Sequence, residues 1–218
     1  MDAVILAGGK SERLRGIVPP YHKPFIVVNG KSLLVTAVDS AVDAGAKRVV
    51  IVATGENALP VWQLVGHRPE VRVVLSDAGV AQAVYAGLEI CSSEKILVLM
   101  SDNIHGKDDV KNVVNAGGYG IGVRYLPCDE AYRFTRQHKG SWVEGAHAGM
   151  DEFNDSACVW CGPLMINRNL GLEHLSRAAG PIGPWLDELV PWPRTYTHVI
   201  VSTQDIGVPD AVAEITRS

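Results

Sequence analysis

Two glycines and several cations follow an apolar segment at the start of the chain. Val4–Ala7 leads into Gly8–Lys10, and Arg13 and Lys23 follow shortly afterwards. Glycine has no side chain to shield its amide, so a phosphate can approach the backbone N–H groups closely. Arg13 and Lys23 add full positive charge nearby. The segment predicts a phosphate-binding loop that includes Leu6, Ala7, Gly8, Gly9 and Lys10.

Two common nucleotide-binding loops fit this segment poorly. Gly9-Lys10-Ser11 imitates the end of a Walker A loop, but Val4 stands where that motif requires its first glycine. A dinucleotide fingerprint needs further glycines where Lys10, Ser11 and Glu12 stand. A glycine pair that only turns the chain between strand and helix is the remaining alternative.

A carboxylate follows the most apolar run of the chain. Ile96–Met100 reads as a buried strand, and Asp102 comes directly after it. Mg²⁺ prefers one or two carboxylates together with phosphate oxygens, so Asp102 needs a partner from elsewhere in the chain. Asp205, which follows an apolar segment at His198–Val201, is the best candidate. The sequence therefore predicts that Asp102 and Asp205 hold Mg²⁺.

The elements that must position these residues alternate between strand and helix in the first half of the chain. Strands are predicted at Ala3–Leu6, Arg48–Ala53, Val71–Leu75 and Lys95–Met100, and helices at Lys31–Ala44 and Ala81–Cys91. Such alternation predicts an α/β fold, in which a parallel sheet carries helices on both faces and binds ligands at the carboxyl ends of its strands.

The second half of the chain is less regular. Strands are predicted at Tyr119–Tyr125, Ser141–Glu144, Ala157–Ile166 and His198–Val201, and a helix around Pro184–Val190. Cys158 and Cys161 have the spacing of a metal or redox pair, but they lie in a predicted strand without a second pair, which favours buried thiols. We expect one domain over 1–218, made of two halves at 1–118 and 119–218.

Composition narrows the class of protein. The chain has 218 residues, 47% of them hydrophobic, and a formal net charge of −4, so it can bury a sizeable core and has no basic stripe for nucleic acid. No apolar run approaches the roughly 18 residues of a membrane span. We expect a cytoplasmic protein with small-molecule substrates and with neither a nucleic-acid nor a membrane partner.

Four segments together resemble the sugar-nucleotide pyrophosphorylases, most closely the glucose-1-phosphate thymidylyltransferase branch. The opening Leu6–Leu14 with Lys23-Pro24 resembles that family's Leu-Ala-Gly-Gly-x-Gly-x-Arg-Leu and Lys-Pro signatures, except that Ser11 replaces a glycine and Glu12 a threonine. The other three segments, in chain order, are Gly79–Ala83, Ser101–Ile104 and Asp205–Asp210, which resemble Gly-Leu-Ala-Gln-Ala, Gly-Asp-Asn-Ile and Asp-Ile-Gly-Thr-Pro-Glu.

The resemblance implies a fold and a reaction. The fold would be a single Rossmann-like, glycosyltransferase-A-type domain of three layers, with a mostly parallel central sheet and a smaller sugar-binding β lobe. The reaction would join a nucleoside triphosphate to a sugar 1-phosphate, giving a nucleotide sugar and pyrophosphate, with Mg²⁺ as cofactor. Arg13, Lys23 and Asp102 would be the catalytic residues. A homo-oligomer is compatible with the resemblance.

The resemblance also implies how each substrate is held, with a nucleotide-binding half at 1–118 and a sugar-phosphate-binding half at 119–218. Gly79 and Gln82 would contact the base, and the Gln82 amide can pair with the edge of thymine or uracil, which favours dTTP or UTP. Glu144 and Gly162 would contact the sugar phosphate. The lysine of the family's Glu-Lys-Pro segment is missing here, and Lys139, Arg133 and Arg136 are candidate replacements. The identity of the sugar stays open.

Three other functions compete with this interpretation. A related metal-dependent glycosyltransferase usually has an Asp-x-Asp pair, which Ser101–Ile104 does not supply. A cofactor cytidylyl- or guanylyltransferase, including the molybdopterin type, shares the opening loop, but the Gln82 and Asp205 segments argue against it. A catalytically silent nucleotide-binding or regulatory homologue would keep the fold while its sugar site decays.

Overall fold

The structure is a computed structural model that describes residues 1–11, 14, 16–127, 150–151, 156–192 and 196–205. In chain order the strands are β1 (Asp2–Leu6), β2 (Val27–Val28), β3 (Lys31–Ser32), β4 (Arg48–Ala53), β5 (Val71–Leu75), β6 (Lys95–Met100), β7 (Asn103–Ile104), β8 (Gly120–Pro127), β9 (Met150–Asp151), β10 (Ser156–Asn167), β11 (Thr197–Ile200) and β12 (Gln204–Asp205). The α-helices are α1 (Leu33–Asp43), α2 (Ala58–Val65), α3 (Val80–Ile90), α4 (Asp109–Val114) and α5 (Arg168–Leu175). Two 3₁₀ turns span Lys23–Phe25 and Gly183–Leu189.

One sheet forms the centre of the fold, in the order β11-β8-β10-β6-β1-β4-β5. The four strands β6, β1, β4 and β5 run parallel to one another, and β11 is parallel to β8. β10 runs antiparallel to both β6 and β8. The predicted α/β fold with a mostly parallel central sheet is therefore confirmed.

Alternating residues of the central strands build two cores on opposite faces of this sheet. On β1, Val4 and Leu6 face the core formed with α3, α5 and the second 3₁₀ turn, whereas Ala3 and Ile5 face the core formed with α1, α2 and α4. Successive strand residues point to opposite faces, so a strand covered by helices on both sides is apolar throughout. The result is three layers, with a helical layer on each face of the sheet.

The pairing of β1 with β6 fixes where the site residues meet. Leu6 stands opposite Met100 in the parallel register, and Ser101 N–H donates to Leu6 O at 3.0 Å. The glycine loop after β1 and the carboxylate after β6 consequently leave the same edge of the sheet. This is the carboxyl edge, where open α/β sheets bind their ligands.

Several predicted elements differ from the structure in extent or type. The helix predicted over Lys31–Ala44 begins only at Leu33, because β3 pairs with β2 and Ser32 caps the helix, its Oγ accepting from Val35 N–H at 3.2 Å. The segment around Pro184–Val190 is a 3₁₀ turn rather than an α-helix. α2, α4 and α5 were not predicted. The strand predicted at Ser141–Glu144 lies outside the described residues.

A search of the described residues found no helix with the length and apolarity needed to span a membrane.

Candidate functional site

The loop after β1 brings bare backbone to the edge of the sheet. A Cβ on Gly8 would lie 2.9 Å from Thr54 Cγ2, so only glycine lets the loop pass this close to the end of β4. A Cβ on Gly9 would meet nothing within 4 Å. Gly9 and Lys10 are exposed, so the Gly9 backbone faces open space that a phosphate can occupy.

An open cleft of about 570 Å³ lies beside this loop. Ser11 lines it with a positive φ of 55°, a conformation that the family's usual glycine adopts without strain. The other lining residues are Lys10, Gly16, Ile17, Val18, Pro19, Pro20 and Tyr21. The cleft therefore lies between the glycine loop and the segment that leads to Lys23.

Lys23 and Asp102 form an ion pair at this edge. Lys23 Nζ lies 3.0 Å from Asp102 Oδ2, and the two side chains are 9% and 24% exposed. The 3₁₀ turn that begins at Lys23 carries the lysine inward, and the end of β6 carries the aspartate. Sequence reasoning assigned both residues to the site, but it did not predict that they bind each other.

Asn57 is a site residue that the sequence did not reveal. It is 1% exposed, and its Nδ2 donates to Ala7 O at 2.8 Å and to Tyr21 O at 3.2 Å. Its Oδ1 accepts from Thr54 N–H at 3.0 Å. One buried amide thus joins the glycine loop, the cleft wall and the end of β4. An asparagine just before an apolar helix is the only sequence signal for it, and that signal is equally typical of an ordinary helix cap.

The backbone brings the second predicted metal ligand towards the first. β12 pairs antiparallel with β7, and this register sets Asp205 opposite Asn103, the residue next to Asp102. Among the side chains that the structure describes, no three His, Cys, Asp or Glu residues gather as a metal-binding group. A site of one or two carboxylates completed by phosphate oxygens does not require such a group.

Gln82 is bound to a neighbouring segment of the protein. Its Nε2 donates to Leu175 O and to Ala178 O, each at 2.8 Å. These two bonds occupy both amide hydrogens, which leaves the Oε1 acceptor for any ligand. Gly79 begins α3 with φ of 94°, and a Cβ there would approach the backbone of Gly180 at 3.8 Å. The start of α3 is thus held by the segment after α5.

Gly162 lies near a half-buried histidine. A Cβ on Gly162 would come within 3.3 Å of His105 Cε1 and 2.9 Å of Thr203 Oγ1. His105 Nδ1 lies 2.9 Å from Thr203 Oγ1, whereas its buried Nε2 has no hydrogen-bond partner among the described residues. Burial lowers the pKa of His105 to about 4, although the Asp109 carboxylate opposes part of that shift.

Some predicted site residues lie outside the described residues. They are Arg13 in the opening loop, Glu144 in the sugar segment, and the three candidate replacement cations Arg133, Arg136 and Lys139. Their roles stay predictions.

Two curated relatives match parts of the chain. Glucose-1-phosphate thymidylyltransferase of Actinoplanes sp. is 27% identical over 134 residues, which cover 56% of this chain and 44% of the relative. UTP–glucose-1-phosphate uridylyltransferase AglF of Haloferax volcanii is 42% identical over 52 residues, which cover 24% of this chain and 21% of the relative. The matches thus span less than half the length of either relative.

Solved structures match nearly the whole chain in fold. A putative glucose-1-phosphate thymidylyltransferase from Bacillus anthracis, in complex with a sucrose, has a TM-score of 0.71 at 17% identity, covering 100% of this chain and 94% of that one. HddC from Yersinia pseudotuberculosis, complexed with GMP-PN, has a TM-score of 0.67 at 15% identity, covering 99% and 98%.

The family comparison covers the part of the chain that builds the glycine loop, the cleft and the Lys23–Asp102 pair. The family described as "MobA-like NTP transferase domain" matches residues 3–123, more than half of the chain. The chain therefore belongs to the MobA-like NTP transferase domain family.

Proposed function

We propose that this protein is a nucleotidyltransferase that joins a nucleoside triphosphate to a sugar 1-phosphate and releases pyrophosphate. The observation that carries the proposal is the Lys23–Asp102 pair beside the open Gly8-Gly9 loop at the carboxyl edge of the sheet. The arrangement offers bare amides, a mostly buried ammonium and a carboxylate at one edge of the sheet. Groups of these types can bind and orient phosphates.

The proposed reaction needs no nucleophile from the protein. An oxygen of the sugar phosphate bonds to the α-phosphorus in line, and the bond from that phosphorus to the bridging oxygen of the β-phosphate breaks. Pyrophosphate leaves with the electron pair of the broken bond. The protein's task is to hold two anions together and to stabilise the charge that develops on the leaving group. Lys23 supplies one cation for this, and Arg13 is proposed to supply another.

The residues present fit a magnesium ion. Asp102 keeps a partly exposed carboxylate at the edge of the sheet, and β12 brings the Asp205 backbone opposite Asn103. Oxygen ligands of this type suit Mg²⁺, and Asp102 and Asp205 would hold it. Bound there, the ion would neutralise charge on the phosphate oxygens.

For the base we propose dTTP or UTP, in agreement with the names of the two curated relatives. The contacts of Gln82 favour GTP as a second candidate. With both Nε2 hydrogens held by Leu175 and Ala178, Gln82 offers only an acceptor, and guanine presents two neighbouring donors to meet it. HddC, which shares the fold, was solved with GMP-PN.

The sugar end of the site is proposed from the resemblance alone. Glu144 and Gly162 would contact the sugar phosphate, and one of Lys139, Arg133 and Arg136 would replace the missing lysine. The proposal includes neither nucleic acid nor membrane among the partners.

Pyrophosphate release measured over a panel of five triphosphates and several sugar 1-phosphates tests the function. A nucleotidyltransferase releases pyrophosphate only when an accepted pair is present with Mg²⁺, and Asp102→Asn should abolish that release. Asp108→Asn, which changes an exposed aspartate just before α4 whose side chain makes no capping bond, is the matched control. If no pair of substrates gives pyrophosphate, the protein is better explained as the catalytically silent homologue. If it transfers the sugar from a nucleotide sugar, it is better explained as the glycosyltransferase.

A further inference from the structure

The two segments that carry the proposed metal ligands are fastened together by a third carboxylate. Asp109, at the first turn of α4, is 9% exposed, and its Oδ2 accepts three hydrogen bonds. The donors are Gly106 N–H at 2.7 Å, Ser202 N–H at 3.0 Å and Ser202 Oγ–H at 3.2 Å. Gly106 follows Asp102 by four residues, and Ser202 precedes Asp205 by three.

Close packing at the same point shows how tightly the two segments approach. A Cβ on Gly106 would collide with Ser202 Oγ and would lie 3.0 Å from Asp109 Oδ2. Real Cβ atoms essentially never approach other atoms so closely, so only glycine fits without displacing the Ser202 segment. The neighbouring contact between His105 Nδ1 and Thr203 Oγ1, at 2.9 Å, joins the same two segments once more.

The strand pairing between these segments is short. β7 and β12 share only two residue pairs, Ile104 with Gln204 and Asn103 with Asp205. A slip of one residue would turn every side chain of β12 to the opposite face, and a ladder this short specifies its register weakly by itself. The hydrogen bonds of Asp109 add a constraint on how the two segments align.

We infer that Asp109 is a positioning residue for the metal site, which it serves by fixing the spacing between Asp102 and Asp205. The inference rests on the proposed function, because it assumes that Asp102 and Asp205 hold the metal ion. Asp109 does not contact substrate or metal in this role. Its effect should therefore fall on metal affinity rather than on the phosphate contacts of Lys23.

The test is Mn²⁺ binding, followed through the loss of the free-ion EPR signal, together with the Mg²⁺ concentration that gives half-maximal pyrophosphate release. Asp109→Ala removes the shared acceptor and should weaken Mn²⁺ binding about 10- to 100-fold, as outer groups that orient metal ligands typically do. Asp109→Asn keeps an oxygen that can accept the same bonds and should stay within a few-fold of wild type. Asp108→Ala, at the exposed neighbour, should change neither measurement.

The outcomes separate this inference from the proposed function. If Asp102→Asn loses Mn²⁺ binding while Asp109→Ala binds as tightly as wild type, the positioning role is wrong and the proposed function stands. If wild type neither binds Mn²⁺ nor needs Mg²⁺ for pyrophosphate release, or if Asp102→Asn binds Mn²⁺ as tightly as wild type, the metal site and the positioning role are both wrong. Should Asp109→Ala not fold, Ser202→Ala replaces it, with an expected weakening of about threefold from the loss of one hydrogen bond. Unchanged binding by that variant would also overturn the inference.

Discussion

Lys23 connects the segment that follows the glycine loop with Asp102, one of the two proposed metal ligands. It is a mostly buried cation 3.0 Å from the Asp102 carboxylate, held there by a 3₁₀ turn. Such a lysine is oriented before substrate arrives, which is the condition under which electrostatic stabilisation contributes most to a rate.

Lys23→Met should lower the turnover number about 100- to 1,000-fold, because it removes a preoriented charge at the reacting phosphates. Pyrophosphate release under saturating substrates and Mg²⁺ is the measurement. Lys31→Met is the matched control, since Lys31 is 63% exposed and pairs with Asp39 at the surface. Equal turnover in the two variants would remove Lys23 from the catalytic residues.

Arg13→Ala should lower the turnover number more than it raises the Michaelis constant for the triphosphate. The proposed contact strengthens as charge develops on the leaving pyrophosphate, so its loss is felt in the transition state. Steady-state kinetics over both substrates separate the two constants. A raised Michaelis constant with unchanged turnover would make Arg13 a residue of uniform nucleotide binding.

His105 should make the protein less stable at mildly acidic pH. Its pKa is about 4 in the folded chain against an ordinary value of 6.5, so between these two pH values the unfolded chain binds the extra proton. The free energy of unfolding therefore falls as pH drops from 6.5 towards 4, by up to about 1.4 kcal/mol per pH unit.

Urea unfolding at pH 7 and pH 5 measures this effect. His105→Asn should lose less stability than wild type over that interval, whereas a change at the exposed His67 should leave the difference intact. Parallel losses in wild type and His105→Asn would show that the imidazole does not carry the pH dependence.

At the scale of elements, the strands of the first half were predictable and several helices were not. Ile96–Met100 is apolar on both faces because helices cover both faces of the sheet. A short, continuous apolar run of this kind is typical of a buried strand. α5 carries Gly171 and His174 within eight residues, so its apolar periodicity is weak. α2 contains Pro60 in its first turn, where proline is tolerated but reads in sequence as a helix breaker.

Candidate residues of the site could be chosen from the sequence, whereas Asn57 and the contacts within the site could not. Its loop and Asp102 could be identified because each follows an apolar strand at a position where packing alone explains it poorly. The Lys23–Asp102 bond joins residues 79 apart, and Gln82 reaches carbonyls 93 and 96 residues away. No local periodicity encodes such distances. Asp109 escaped notice for the same reason, since its partner Ser202 is 93 residues away.

The packing of α3 on the sheet gives a prediction for one glycine. A Cβ on Gly87 would lie 2.6 Å from Val4 Cγ1 and 3.2 Å from Val52 Cγ2, so Gly87→Ala would push the helix away from β1 and β4. We expect a loss of about 1–3 kcal/mol in the free energy of unfolding, less the gain of up to about 1 kcal/mol in helix propensity. Thermal or urea unfolding measures it.

Gly9→Ala is the matched control for Gly87→Ala. It adds the same methyl group where nothing lies within 4 Å, so the free energy of unfolding should change little. Its effect should appear instead in triphosphate binding, because the added methyl would occupy the open space beside the loop where we propose that the phosphates bind. Equal stability of the two variants would contradict the tight packing of α3.

For the whole molecule, the continuous sheet predicts one cooperative unfolding transition. β10, from the second half, pairs with β6, and the segment after α5 holds the start of α3 through Gln82. The two halves at 1–118 and 119–218 thus share a core and should unfold together. Urea transitions followed by far-UV circular dichroism and by tryptophan fluorescence should coincide. Two separated transitions would show that the halves fold independently.

The place of β10 in the sheet also affects synthesis on the ribosome. β6 lies between β1 and β10 in the finished sheet, yet the residues of β10 are translated about 60 positions after those of β6. Until then the growing chain has an apolar strand, Ile96–Leu99, with one unpaired edge, and such edges invite association with other chains. Chains released before residue 164, where β10 begins to pair with β6, should therefore aggregate, and nucleotide binding should begin only after the segment that holds Gln82 has emerged.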